Sequence, residues 1–385
     1  MKKTLVALAA LATVGAAFAQ STVTLYGKID WTIQNATQST GGVKTAGGNV
    51  GMQVNSAGLS GSRWGLKGSE DLGGGMKAIF DLQSGFNIDT AIGAQGASGG
   101  NGITFGRQAY AGLSGGFGTF TAGRQYSPID TVWGTYDGQG YTTNSAMSYA
   151  WNGSTTGTRG IHAEPGRINN SLLYTTPAMG GFQAQFMYAP GENKNPVTSQ
   201  SAGSYSGFLV GYANGPLGVH LGYENIKTTF GTTPAVPAGF TSSVATGALV
   251  ITPTAAVAAK PSGSTSVRDW TLGASYNLGV ATLYGGYQRA TMTGGSDDKG
   301  WMLGAAIPVG AMTLNLGYAR ETDNVTGLAV DGRNTAFGGQ LVYPLSKRTN
   351  LYADFLSGKS RAAAAAAGSP TTKNNLYGIG MRHDF

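Results

Sequence analysis

A two-residue alternation of apolar and polar side chains is the feature of this sequence that most restricts what it can fold into. In the first segment, Val23, Leu25 and Ile29 alternate with Thr24 and Lys28. Successive side chains of a β-strand point to opposite faces of a sheet, so a period of two predicts strands. The alternation recurs in 16 segments, most of them roughly 10 to 14 residues long. The sequence therefore predicts an all-β protein.

The charged residues share one face of these predicted strands, and this decides which face meets lipid. Arg63 and Lys67 alternate with Trp64 and Leu66, and only 11% of all residues are charged, against about 25% in an average soluble domain. A Lys or Arg facing lipid at mid-bilayer costs about 2–4 kcal/mol, and an open strand edge is not tolerated in lipid. A soluble barrel would place its apolar residues inside. We therefore expect a closed barrel with an apolar outer face and a charged inner face that lines water.

The connections between the segments alternate between short and long. The short ones lie near residues 70–74, 115–117, 177–180, 214–216, 278–279, 308–310 and 344–348. Long ones, such as 37–60, 127–165 and 228–266, are rich in Gly, Ser, Thr and Pro. Seven short turns interleaved with eight long loops fit a meander of 16 strands. The prediction is a 16-stranded antiparallel transmembrane β-barrel with short periplasmic turns, long extracellular loops and an aqueous lumen.

The first 19 residues have the organisation of a secretory signal peptide. Lys2 and Lys3 precede an apolar run of about 15 residues, which is shorter than the ~20 that span a bilayer as a helix. The run ends at Ala17-Phe18-Ala19, a small-x-small cleavage site. We expect residues 1–19 to be removed on export, leaving 20–385 as a single barrel domain. Loss of two lysines leaves 23 basic and 18 acidic residues, a charge of about +5.

Four segments carry a resemblance to a known family. They are TLYGKIDW (24–31), SRWGLKGSEDLGGGMKAIFDLQSGFN (62–87), FGRQAYAGLSGGFGTFTAGRQY (105–126) and NNLYGIGMRHDF (374–385). In this order they resemble the general outer-membrane porins of β-proteobacteria such as Neisseria, Bordetella and Burkholderia. The resemblance implies a homotrimeric, water-filled channel for passive diffusion, located in the outer membrane with its lipid and lipopolysaccharide. It also implies a third loop that folds into the lumen and narrows it.

The resemblance assigns residues to the narrowest part of the pore. It implies a basic wall that faces an acidic inserted loop. The matching wall residues are Lys28, Arg63, Arg124 and Arg167, and the matching acidic residues of loop three (roughly 127–165) are Asp130, Asp137 and Glu164. This acidic set is small, and the mature chain is basic. We therefore expect a weak preference for anions rather than cations.

The alternation supports some of these assignments and not others. Lys28 and Arg63 fall on the predicted inner face. Arg124 is separated by an even number of positions from Phe120 and Ala122, so the alternation places it with them on the outer face. Either a bulge near Gly123 redirects Arg124, or the strand has already left the membrane at that point. Both alternatives remain open at the level of the sequence.

The last strand is expected to have a second role. By resemblance, its outward row is an assembly signal that the barrel-assembly machinery recognises. That row consists of Tyr377, Ile379, Met381 and Phe385.

The remaining polar residues do not form a pattern typical of another function. The inner charges Lys67, Lys77 and Asp81 are equally well explained as solvated wall charges. The three histidines are scattered, so we expect no metal, no cofactor and no catalytic site. No Lys/Arg cluster lies on one face, and no nucleic-acid partner is expected. Two alternatives to a channel remain, namely an outer-membrane hydrolase and an adhesin or structural barrel.

Overall fold

The computed structural model describes residues 22–44, 51–94, 104–151, 166–191, 203–230, 239–245, 248–254, 263–364 and 366–385. The predicted signal peptide, 1–19, and the loop residue Glu164 lie outside the described residues.

The described residues form 21 strands and two helices. In chain order they are β1 (Thr22–Thr40), β2 (Val43–Lys44), β3 (Gly51–Ser56), β4 (Arg63–Gly73), β5 (Met76–Phe86), β6 (Gly93–Ala94), β7 (Gln108–Gly115), β8 (Gly118–Tyr126), α1 (Pro128–Tyr136), α2 (Ala146–Trp151), β9 (Arg167–Thr175), β10 (Phe182–Ala189), β11 (Tyr205–Asn214), β12 (Leu217–Phe230), β13 (Gly239–Ala245), β14 (Ala248–Thr254), β15 (Gly263–Asn277), β16 (Thr282–Met292), β17 (Ser296–Val309), β18 (Met312–Val325), β19 (Gly332–Pro344), β20 (Thr349–Arg361) and β21 (Thr372–Asp384). No helix in these ranges is long and apolar enough to cross a membrane.

Sixteen of the strands form one closed antiparallel barrel. Neighbouring strands pair in the order β1, β4, β5, β7 to β12, β15 to β21, and β21 pairs again with β1. The closing register runs from Lys28 opposite Asp384 to Thr40 opposite Thr372. The strand β3 pairs with the part of β1 that lies beyond Arg63, the first residue of β4. The strands β2 and β6 are short additions, and β13 and β14 form a separate hairpin. The predicted 16-stranded antiparallel β-barrel is confirmed.

The two faces of the barrel have the polarity that the alternation predicts. Leu25 and Leu303 are each 60% exposed on the outer face, and Ile379 is 61% exposed. Their neighbours on the inner face include Asp30 and Glu321, which are fully buried inside the barrel. The unfavourable transfer of charge into lipid accounts for this separation.

Aromatic side chains form a belt on the outer face near the end of the barrel that carries the long loops. Aromatic residues on neighbouring strands are either directly opposite one another or two positions apart in the strand register. We call this set the outer aromatic ring: Phe208, Tyr223, Trp270, Tyr287, Trp301, Tyr318, Phe337, Phe355 and Tyr377. Amphipathic rings concentrate at membrane–water interfaces, so this belt marks the outer boundary of the apolar zone.

The connections agree with the prediction at one end of the barrel and differ at the other. The short turns lie at 74–75, 116–117, 176–181, 215–216, 278–281, 310–311 and 345–348. The interpretation of 37–60 and 228–266 as loops is wrong in part, because β1 continues to Thr40, β3 lies within the first range, and β13 and β14 lie within the second. Gly, Ser and Thr are common in loops, and their abundance in these two ranges concealed the strands.

Candidate pore constriction

Residues 127–151 of loop three lie inside the barrel. Ser127 is the N-cap of α1, and its side chain accepts a 3.1 Å hydrogen bond from the backbone N–H of Asp130, while Pro128 occupies the first turn. Ile129, Val132 and Trp133 of this helix are fully buried against the inner wall. An amphipathic helix thus covers part of the inner surface of the barrel.

A stripe of inward-facing glycines makes room for this loop. A Cβ atom at Gly273 would lie 2.5 Å from Cδ2 of Tyr136, and one at Gly286 would lie 2.8 Å from Cζ3 of Trp133. Loop residues approach the wall in this way at Gly218, Gly222, Gly273, Gly286, Gly304, Gly317, Gly338 and Gly358. Only glycine permits backbone and loop to come so close, which explains part of the high glycine content.

Polar side chains fix the second half of the described loop to the strands behind it. Asn144 donates a 2.6 Å hydrogen bond to Asp354 of β20, and the hydroxyl of Tyr149 accepts a 2.6 Å hydrogen bond from Asn374 of β21. Asp137 acts within the loop, where it accepts hydrogen bonds from the backbone N–H groups of Gln139 and Tyr141, each at 3.0 Å. Burial raises the pKa of Asp137. Its carboxylate is thus used to shape the loop.

Between loop three and the opposite wall is a cavity of about 1010 Å³. Its wall side carries three arginines, Arg63, Arg107 and Arg167, and its loop side carries Asp130 and Tyr141. Arg63 and Arg167 form no ion pair with any carboxylate in the described ranges. The cavity is therefore a narrow, aqueous space with an excess of positive charge.

Tyr126 holds two of these arginines side by side. Its hydroxyl accepts hydrogen bonds from Arg107 at 2.8 Å and from Arg167 at 2.5 Å, and the guanidinium of Arg167 lies 4.3 Å from the centre of its ring. Arg107 also donates a 2.8 Å hydrogen bond to Gln83. These contacts restrict the side chains, so the guanidinium groups stay close together despite their like charge.

A second segment folds inward on the wall side, between β3 and β4. Residues 57–62 approach the inner wall, since a Cβ atom at Gly58 would overlap Tyr352. The carboxylate of Asp30 holds this segment through the N–H groups of Leu59, at 2.9 Å, and Ser60, at 2.6 Å. The carbonyl of Gly61 accepts a 3.0 Å hydrogen bond from Nε of Arg63. This segment thus helps to place Arg63.

Of the described loop carboxylates, Asp130 is the one that lines the cavity with the arginines. Its side chain is 7% exposed, and it accepts a hydrogen bond from Tyr141. Burial raises the pKa of Asp130 to about 6, and the positive charges of Arg167 and Arg107 oppose that increase. The negative charge at the constriction therefore depends on pH near neutrality.

The other wall residues that the resemblance assigns lie apart from this cavity. Lys28 is directly opposite Arg63 in the register of β1 and β4, and its Nζ is 3.7 Å from a carboxylate oxygen of Asp384. Arg124 follows a register shift between β8 and β9 and donates hydrogen bonds to the carbonyl of Gly106, at 2.8 Å, and to Asn169, at 2.6 Å. Of the two alternatives for Arg124, the structure contains the bulge, but the side chain does not line the cavity.

Arg107 is absent from the residues that the sequence singled out. It lies in the bend before β7, where its parity matches the outward Ala109 and Ala111. The bend breaks the alternation, so the side chain of Arg107 points inward, although an unbroken strand would place it on the outer face. The one available signal was its place in the segment 105–126, which carries the family resemblance.

The histidines of the described ranges do not line the cavity. No three His, Asp or Glu side chains are grouped there so that they could hold a metal ion. His220 lies against Tyr136, with ring centres 5.1 Å apart, and His383 contacts the hydroxyl of Thr349. Both imidazoles therefore have packing partners, and neither lies beside a nucleophile in the cavity.

Comparison with known proteins gives consistent matches. A family model described as Gram-negative porin matches residues 4–363. Outer membrane porin protein 32 of Delftia acidovorans is 36% identical over 74% of this chain and 68% of its own length. The structure of an anion-selective porin from Comamonas acidovorans has a TM-score of 0.69 and 29% identity, covering 95% of this chain and all of that one. A trimer form of OmpT from Vibrio cholerae has a TM-score of 0.60 and 16% identity, covering 95% and 99% of the two chains, and is similar in fold.

Proposed function

The chain belongs to the Gram-negative porin family, and we propose that it is a passive diffusion channel for small hydrophilic solutes and ions that weakly prefers anions. Its location is the outer membrane, as for the porins that it resembles. The observation that carries the anion preference is the group of three arginines on one side of the cavity, which face Asp130 as the one carboxylate among the described residues that line it.

The electrostatics of a narrow lumen favour this proposal. Charges that line an aqueous cleft with low-dielectric walls act on a passing ion more strongly than the average charge of the protein. Salt screens exposed charges over about 8 Å at physiological ionic strength, so only groups beside the narrow passage matter. Guanidinium groups stay protonated at any physiological pH, so the basic wall keeps its charge. The anion-selective structure from Comamonas acidovorans gives independent support.

The proposed transport needs no chemical step. Solutes cross the barrel down their concentration gradients, and the arginines provide N–H donors that replace part of the hydration of an anion at the constriction. Tyr126 holds Arg107 and Arg167 in place, so these donors are available without rearrangement. A weak preference is expected because the same cavity is wide enough to hold many waters.

Planar-bilayer recording in a KCl gradient tests the proposal. Purified protein should produce discrete conductance steps, and the zero-current potential should have the sign of chloride preference. The preference should decrease as the ionic strength rises, because screening reduces the effect of the arginines. Absence of conductance would contradict the channel, and a potassium preference would contradict the role of the arginines.

The alternatives to a channel find little support. A hydrolase needs a nucleophile within reach of a base, and the hydroxyl–imidazole contact in the described ranges, Thr349 with His383, lies on the outward row of β21 and not in the lumen. We therefore propose that the chain is not an enzyme. An adhesin or structural barrel would have its interior filled by side chains, whereas this barrel contains a cavity of about 1010 Å³. Failure to hydrolyse lipid or peptide substrates would agree with this proposal.

We propose that three copies assemble and that the terminal strand directs their biogenesis. OmpT of Vibrio cholerae, which has the same fold, is known in a trimer form. The outward row of Tyr377, Ile379, Met381 and Phe385 is the proposed signal for the barrel-assembly machinery. Light scattering of the detergent-solubilised protein tests the trimer, and a single-chain mass would contradict it.

A further inference from the structure

Tyr141, on the loop side of the cavity, has a strained backbone. Its φ of 53° follows a φ of 73° at Gly140, so two successive residues are left-handed. A turn of this kind usually takes glycine or asparagine at both central positions, and a left-handed tyrosine is uncommon. Such strain persists only where the surrounding structure enforces it, and it concentrates at functional sites. Glycine would adopt this turn more easily, so the strain indicates that the side chain of Tyr141 makes contacts that the constriction needs.

Two buried carboxylates hold Tyr141 at its two ends. Its backbone N–H donates a 3.0 Å hydrogen bond to Oδ2 of Asp137, and its hydroxyl donates a hydrogen bond to the carboxylate of Asp130. These two acids are seven residues apart, which corresponds to about 10 Å along α1. The side chain of Tyr141 therefore runs back along the helix and joins its first turn to the turn that follows its end.

The carboxylate of Asp130 is enclosed by the chain. A Cβ atom at Gly166 would overlap Oδ1 of Asp130, so the backbone at this glycine lies directly against that oxygen. The side chain of Asp130 is also among the buried ones. Water therefore has little access to replace a hydrogen bond that the protein withdraws. Without the hydroxyl of Tyr141, the ionised carboxylate would lose a donor at a site where water does not readily replace it.

The cations that face Asp130 lie on the wall side of the cavity. The positive charges of Arg167 and Arg107 favour its ionised form, and Arg63 lines the same cavity. Burial, together with the negative charge of Asp130, raises the pKa of Tyr141 well above its ordinary value. The hydroxyl of Tyr141 therefore stays protonated and remains a hydrogen-bond donor to Asp130 at physiological pH.

We propose that Tyr141 is a positioning residue that sets the ion selectivity of the pore, because it holds the carboxylate of Asp130 ionised opposite the arginines. A hydrogen bond to the ionised form of an acid stabilises that form. Tyr141 thus keeps a negative charge where it partly cancels the field of the basic wall, and the anion preference stays weak. The inference rests on the proposed channel function, since ion selectivity is a property of the open pore.

The pH dependence of the zero-current potential in a KCl gradient tests this inference. Y141F removes the hydroxyl and keeps the ring, whereas Y141G removes the hydroxyl and also relieves the strained turn. In both variants the half-point of the pH dependence should move up by about one pH unit, and the anion preference at neutral pH should be stronger than in the wild type. The control Y174F removes an exposed hydroxyl that donates to the carbonyl of Phe117, and it should keep the wild-type half-point.

The double variant D130N/Y141F separates this role from a merely structural one. If Tyr141 acts through Asp130, adding Y141F to D130N should leave the potential at the D130N value across the pH range. A wild-type half-point in Y141F or in Y141G, or a further change when Y141F is added to D130N, would overturn the proposal. So would a wild-type potential that does not depend on pH.

Failure of the proposed function gives a different result. A potassium preference of the wild-type protein would contradict the proposed anion preference, but the half-points of the variants would remain measurable and would still decide the role of Tyr141. Absence of conductance in the wild-type protein would contradict both proposals.

Discussion

The hydroxyl of Tyr352 donates a 2.6 Å hydrogen bond to Oδ1 of Asp30, across the strand that separates β20 from β1. The other carboxylate oxygen of Asp30 accepts the N–H groups of Leu59 and Ser60. Asp30 thus joins the inner wall to the inward segment 57–62, which lines the cavity beside Arg63. One buried carboxylate therefore contributes to the shape of the constriction without facing the solute.

Substitution of Asp30 should widen the constriction. Asp30→Ala removes three hydrogen bonds to a carboxylate, each of which contributes about 1.5–3 kcal/mol, and releases residues 57–62. The single-channel conductance should increase and the anion preference should fall, because Arg63 loses the carbonyl that orients it. Tyr352→Phe, which removes one of the three bonds, should produce a smaller change in the same direction.

The matched control for Asp30 is Asp71→Ala. Asp71 is exposed near the end of β4, beside the short turn at 74–75, where it accepts a hydrogen bond from the N–H of Gly73. This variant removes the same charge far from the cavity, so its conductance should stay at the wild-type value. Unchanged conductance in a folded Asp30→Ala barrel would contradict the anchoring role.

Anion preference should depend on pH through Asp130. Protonation removes the loop's negative charge beside Arg167, so the preference should increase as the pH falls, with half of the change near pH 6. Zero-current potentials between about pH 5 and pH 8 measure this change. Asp130→Asn should show the stronger preference at every pH. A variant that kept the wild-type pH dependence would assign the titration to another group.

The carboxyl group of Asp130 also determines how the stability of loop three changes with pH. The pKa of Asp130 in the folded chain is about 6, which is above its ordinary value of 3.8, so the folded state binds more protons between these values. Its contribution to stability is therefore fully present below about pH 4 and is lost as the pH rises through about 6. Limited proteolysis within loop three should accordingly be slower at the acidic end of that window, and Asp130→Asn should remove the difference.

Charge reversal on the basic wall should change the sign of selectivity. Lys28 and Arg63 are opposite one another on the inner face, and replacing both with Glu exchanges two positive charges for two negative ones. The zero-current potential should move towards cation preference, most strongly in dilute salt. The control K347E/R348E changes the charge equally in an exposed short turn and should have little effect. Equal shifts in both double variants would show that Lys28 and Arg63 do not set the ion selectivity.

The period-two alternation was sufficient to predict the barrel, because lipid imposes a large and uniform penalty on misplaced charge. It placed Lys28 and Arg63 on the inner face for the same reason. It could not place Arg107, Arg124 or the segment 57–62, because a bend, a bulge and an inward fold each interrupt the alternation. Their geometry depends on contacts between residues far apart in sequence, such as Asp30 with Leu59 and Tyr126 with Arg167.

The contacts of loop three could not be predicted from the sequence either. The acidic residues Asp130 and Asp137 are equivalent in the sequence, but one lies beside the arginines and the other accepts hydrogen bonds from the backbone of its own loop. The inward glycines that receive α1, such as Gly273 and Gly286, look in the sequence like ordinary strand glycines. Which of them contact the loop follows from the strand register, and a sequence pattern alone does not fix that register.

An arginine on the lipid face should be far more harmful than one on the inner face. Leu303 is 60% exposed on the outer face between the outer aromatic ring and the short turns, and Leu303→Arg should cost about 2–4 kcal/mol near mid-bilayer. Asn315 points inward on the adjacent strand β18, and Asn315→Arg should fold normally and alter conductance. Urea titrations of the protein folded into lipid vesicles measure both effects. Similar destabilisation of the two variants would contradict the assignment of the faces.

The end of the chain should be needed for assembly through both its backbone and its ring. Phe385 exchanges two hydrogen bonds of 3.0 Å with Gly27, and its ring covers this glycine on the outer face, where a Cβ atom would overlap it. Deletion of Phe385 removes the bonds and the ring, whereas Phe385→Leu keeps the bonds. If the aromatic ring is the assembly signal, both variants should reach the outer membrane in reduced amounts, and the deletion should be the more severe.

Folding of the same two variants from urea into detergent separates closure of the barrel from recognition by the assembly machinery. No machinery is present in that experiment, so Phe385→Leu should fold as the wild-type protein does, since β1 and β21 still pair from Lys28 to Thr40. A defect of Phe385→Leu in cells but not in detergent would therefore locate the role of the ring in recognition. Equal defects in both settings would show that Phe385 acts only by closing the barrel, and the proposed assembly signal would then be wrong.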